Sequence, residues 1–118
     1  TEIALKYLQE SLRLDEITQN NNGIYVSAMK LSEMITDKNK SFAYLKRAKN
    51  CATELNEPFY IASSDLALGD FYYNQKDYAV ALKYYDKAKS LAQNNFTKDN
   101  IVKIEQRIND IKKVYNAG

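Results

Sequence analysis

The sequence predicts an all-α fold, and three observations carry that prediction. Apolar residues recur at three- and four-residue spacings through most of the chain. Three glycines and a single proline leave little material for turns or breaks. A nine-residue pattern recurs twice, each time on a stretch with helical spacing. Together they predict about six helices in one domain of 118 residues, long enough to bury a core of its own.

The first helix is expected over residues 1–18, where Ile3, Leu5, Leu8, Leu12 and Leu14 alternate with Lys6, Glu10, Arg13 and Glu16. It ends in Gln19-Asn20-Asn21-Asn22-Gly23, whose Asn-Gly step suits positive φ. The second runs over residues 24–36 with Ile24, Ala28, Leu31 and Ile35 on one face. After the polar turn 37–40, the third covers residues 41–55 and buries Phe42, Leu45, Ala48 and Ala52. Asn56 is expected to cap the fourth helix, with Glu57 and Pro58 in its first turn. That helix, residues 57–74, turns Ile61, Leu68 and Tyr72 inward. Asp77 caps the fifth, residues 78–93, which buries Tyr78, Ala81, Leu82, Tyr85, Ala88 and Ala92. Thr97 caps a sixth, residues 98–116, with Ile101, Ile104, Ile108, Ile111 and Tyr115 in one stripe. Its opposite face carries Lys103, Gln106, Arg107, Asn109, Asp110, Lys112 and Lys113.

The odd-numbered helices overlay without gaps. ALKYLQESL at residues 4–12, SFAYLKRAK at 41–49 and ALKYYDKAK at 81–89 bring Ser11, Ala48 and Ala88 into register, 37 and then 40 residues apart. Leu31-Ser32 precedes Leu68-Gly69 by 37. Periods of this size mark helix pairs that cannot bury their apolar faces alone and so stack.

On these residues the chain resembles the tetratricopeptide repeat (TPR) family. Leu68-Gly69, Tyr72, Tyr78, Ala81, Tyr85 and Ala88 match the pattern best, with small residues where paired helices touch and tyrosines beside them. Leu31, Ser32 and Ala48 form a weaker copy over residues 24–55, and residues 1–18 resemble the second helix of a partial repeat. Asp65 departs from the pattern where a bulky aromatic is usual, and Gln93 where proline is frequent. The spacing is longer than the usual period of about 34 and is similar to that of bacterial signalling proteins. The resemblance implies a right-handed solenoid of antiparallel helix pairs with a capping helix over residues 98–116. It also implies a scaffold that holds a protein or peptide on its concave face. A sensor module of a signalling protein is the alternative.

Composition narrows the other classes. With 17 basic and 15 acidic residues interleaved, the net charge of +2 gives no footprint for nucleic acid or an anionic membrane. No apolar run reaches the ~18 residues of a membrane span, and the first ten residues lack a signal-peptide layout, so a cytoplasmic location is expected. Histidine is absent and Cys51 is the only cysteine, which removes the usual nucleophilic arrangements and cysteine metal clusters. No catalytic residue, metal ligand or cofactor is expected.

The binding face follows from helical angles. At roughly 100° per residue, Val26, Met29 and Glu33 point away from Ile24, Leu31 and Ile35, and Ser63, Leu66, Asp70 and Tyr73 away from Ile61, Leu68 and Tyr72. With Asn74 these eight residues are the candidate peptide-binding set, a shallow, mildly acidic groove suited to a basic peptide. The alternative is that they pack against neighbouring first helices. The isoleucine stripe of the last helix likewise has two readings, a cap on the stack or an oligomer contact.

Overall fold

The computed structural model describes residues 2–95 and 98–117, with side-chain surroundings for 2–91 and 98–115. The fold is all-α. Six helices follow in order: α1 (Glu2–Ile17), α2 (Asn21–Met34), α3 (Lys38–Leu55), α4 (Pro58–Asn74), α5 (Tyr78–Asn95) and α6 (Lys98–Ala117). No strand occurs among the described residues. The chain divides into two compact units, Thr1–Glu57 and Pro58–Gly118, and the division falls where the better repeat was expected to begin. The expected Thr97 cap and the burial of Ala92 lie outside the described residues.

In the first unit α2 packs on both α1 and α3. The core comprises Leu12 from α1, Ile24, Tyr25, Ala28 and Leu31 from α2, and Leu45, Ala48, Cys51 and Ala52 from α3. Two serines meet at the α2–α3 contact, Ser32 buried and Ser41 half-buried. The Ser32 hydroxyl donates to the Met29 carbonyl at 2.6 Å, and Ser41 donates to the Ser32 carbonyl at 2.7 Å. A serine thus satisfies itself on its own helix where the better repeat has glycine, and close approach is preserved.

Three helix ends differ from expectation, each for a local reason. α2 begins three residues early because the Asn20 side chain accepts the Gly23 N–H at 3.2 Å. Gly23 is therefore helical, and the positive φ falls on Gln19, at 56°. Asp37 caps α3 in the same way, accepting Lys40 N–H at 3.1 Å, so the expected turn 37–40 is mostly helix. Asn56 does not open α4. It closes α3 in the left-handed region, φ 51° and ψ 41°, with its N–H directed to the Ala52 and Thr53 carbonyls. Proline at 58 disfavours helical backbone at residue 57, so the chain reverses one residue earlier, at a side chain that tolerates positive φ.

α1 also differs. Of its five expected core residues only Leu12 is buried; Leu5 and Leu8 are half-buried, while Ile3 is 85% and Leu14 50% exposed. Ile3, Tyr7, Leu14 and Ile17 form a second, outward stripe opposite the one that meets α2.

In the second unit α5 packs on α4 and on α6. Ala81, Tyr85 and Ala88 join Ile104, Ile108 and Ile111 in one core, and Leu66, Tyr72, Tyr73, Tyr78, Leu82 and Ile101 pack against it. Ile104 and Ile111 are fully buried, each contributing about 1.5–3 kcal/mol relative to exposure. The stripe on α6 is thus engaged by its own unit. Tyr115 departs from it and is 54% exposed.

Tyr85 and Gly69 meet at the α4–α5 contact. A Cβ on Gly69 would lie 2.7 Å from ring carbons of Tyr85, so hydrogen is the only side chain the contact accepts. Beside it Tyr72 stacks on Tyr84, centroids 5.7 Å apart and planes 5° from parallel. Alanine at 69 gains roughly 1 kcal/mol of helix propensity but must displace a buried ring at a cost of about 1–3 kcal/mol. Gly69→Ala is expected to lower the unfolding free energy, by up to about 2 kcal/mol, in a denaturant titration. Unchanged or increased stability would show that the ring withdraws freely.

Candidate functional site

The two candidate faces have different fates. On α2, Val26 is 42% exposed, Glu33 is exposed and Met29 is half-buried. They share one side of the helix because α2 turns Ile24, Ala28 and Leu31 to the other side, against α1 and α3. Val26 and Glu33 are open to solvent, and Met29 is partly covered.

On α4 the corresponding residues are engaged by the second unit. Leu66 and Tyr73 pack against the α5–α6 core. The Tyr73 ring meets Tyr78 edge-on at 5.6 Å and Tyr85 at 6.5 Å. Asp70 accepts the Tyr85 hydroxyl at 2.6 Å and lies 3.9 Å from Arg107 Nε. Ser63 is half-buried and Asn74 exposed. Leu66, Asp70 and Tyr73 thus pack inside their own unit, against α5 and α6. An angle directed away from the α5-facing side of α4 leads toward α6 and not into solvent.

Arg107 is the residue that the sequence reading misplaced. Set on the solvent face of α6, it is half-buried, its guanidinium 4.7 Å from the Tyr73 ring centroid. It follows Ile104 by three residues and precedes Ile111 by four, which places it at the edge of the buried stripe and gives the available signal. Lys103, Gln106 and Asp110 line a shallow concavity with it. Arg107 neutralises Asp70, so this surface is not the acidic groove expected from sequence.

Burial and the Asp70 carboxylate hold the Tyr85 phenol far above its ordinary pKa, so it remains a hydrogen-bond donor through the neutral range. Burial, then Glu54, raises the Cys51 thiol, which disfavours the nucleophilic thiolate. Among the described residues no cluster of His, Cys, Asp or Glu could hold a metal, and no helix is long and apolar enough to cross a membrane.

Comparison with protein-family models, curated proteins and solved structures finds no match.

The division between the faces has a measurable consequence. Asp70→Ala removes the acceptor of a buried phenol and should cost about 1–3 kcal/mol in chemical unfolding. Glu33→Lys should stay within about 0.5 kcal/mol of the parent, as an exposed residue does. Equal effects of the two substitutions would refute the assignment.

Proposed function

We propose that the chain is a non-catalytic helical-repeat scaffold that binds a protein or peptide segment, with α2 carrying the contact. The observation that supports this most is the open α2 stripe. Val26 stands exposed on α2, with the half-buried Met29 and the exposed carboxylate of Glu33 on the same side of the helix. A face needed only for solvation has no use for those apolar side chains, whereas an amphipathic or extended ligand does. The repeat pattern of residues 24–55 and 57–93, and its TPR resemblance, add to the reading. The engaged state of Leu66, Asp70 and Tyr73 shifts it from α4 toward α2.

A partner for this face combines an apolar anchor for Val26 and Met29 with a basic group for Glu33. Selection from a random peptide-display library tests it. Enriched peptides should carry Lys or Arg next to an aliphatic or aromatic residue. Binding should fall by roughly ten-fold or more in Val26→Asp, a loss of ~1.4 kcal/mol, while Asn50→Asp on α3 leaves it unchanged. No enrichment, or binding indifferent to Val26→Asp, would overturn the proposal.

A further inference from the structure

The first unit holds a second concavity, of about 350 Å³, lined by Gln9 of α1, Ile35 at the end of α2, and Lys40, Ala43, Tyr44 and Arg47 of α3. Its chemistry is divided. Ile35, Ala43 and the Tyr44 ring supply apolar surface. Lys40, Arg47 and the Gln9 carboxamide supply donors.

The donors are unequally engaged. Arg47 gives one N–H to Glu16, Nη1 to Oε1 at 3.1 Å, while its guanidinium carbon lies 5.9 Å from the Tyr44 ring centroid. The acid and the ring hold the planar group in place and leave its remaining N–H groups for another acceptor. The Lys40 ammonium meets no carboxylate among the described residues. Glu16 cancels Arg47, so the lining carries an excess of one positive charge. One excess charge beside an apolar wall suits a monoanion with an apolar body better than a phosphate, whose second charge would be left uncompensated.

We propose that this cavity binds a carboxylate carried on a short apolar stem. The carboxylate sits between Lys40 and Arg47 with the Gln9 amide as a further donor, and the stem lies on Ile35, Ala43 and Tyr44. The site stands on α1, α3 and the C-terminal cap of α2, and shares no residue with the contact proposed above. A free organic acid and the C-terminal carboxylate of a peptide with an apolar last residue offer the same chemistry.

Amide chemical-shift titration of the whole chain tests it, with phenylpropionate, its neutral amide, and acetyl-Ala-Ala-Phe bearing a free or an amidated terminus. The free acids should shift amides at Gln9, Ile35 and residues 40–47, and the two amides should not. Lys40→Gln, at an exposed position, should weaken the acids by roughly ten-fold, while Lys30→Gln on α2 should leave them unchanged. Tighter binding of the free-terminus peptide than of phenylpropionate assigns the site to peptide ends; the reverse order assigns it to small acids. Shifts of equal size from the neutral amides, shifts scattered outside these residues, or a Lys40→Gln protein that binds like the parent would overturn the proposal.

Discussion

The second unit depends on one contact, the Tyr85 ring seated where Gly69 has no side chain. Hydrogen at position 69 lets α4 approach α5 closely enough to bury the whole ring, and full burial obliges the phenol to find an acceptor. Asp70, the next residue on α4, provides it at 2.6 Å. Arg107 then balances the carboxylate and covers Tyr73, which ties α6 to the same helix. A missing methyl group thus sets the helix distance, the distance sets the hydrogen bond, and the hydrogen bond fixes where a charge from α6 must sit. The part-buried ion pair, long at 3.9 Å, adds little by itself; the desolvated phenol makes the arrangement costly to disturb.

That chain of dependence decides which residues remain available for other work. Asp70 and Tyr73 would have looked like recognition residues on an isolated helix, and in the folded unit they hold three helices together. The first unit lacks this device. Ser32 replaces the glycine and satisfies its hydroxyl on its own helix, and α2 leaves Val26 and Glu33 exposed, with Met29 half-buried between them. One repeat is committed to its own cohesion and the other presents a face. The proposed contact on α2 rests on this asymmetry between two copies of one pattern.

Much of the fold is legible from periodicity, since a 3.6-residue repeat read over whole helices identifies Leu31, Leu45, Ala48, Leu68, Ala81, Tyr85 and Ala88 as buried without any knowledge of neighbours. The helix ends are less legible because Asn serves at either end. Asn20 opens a helix and Asn56 closes one, and the difference lies in Pro58, two residues beyond. The faces are least legible. α1 carries two apolar stripes, and which of them meets α2 is a long-range fact absent from the local pattern. Arg107 and Asp70 are illegible for the same reason: a local pattern relates each helix to one neighbour, whereas Asp70 and Tyr73 on α4 meet side chains of both α5 and α6.

Hydrogen exchange of the backbone amides, resolved by residue on the intact chain, tests the role of the Tyr85 seat most directly. The account predicts that in the second unit the slowest-exchanging amides cluster on α5 between Ala81 and Ala88 and on α4 beside Gly69, and that Gly69→Ala and Tyr85→Ala speed both groups together. Slowest exchange elsewhere in that unit, or protection of α5 that survives loss of the Tyr85 ring, would contradict it.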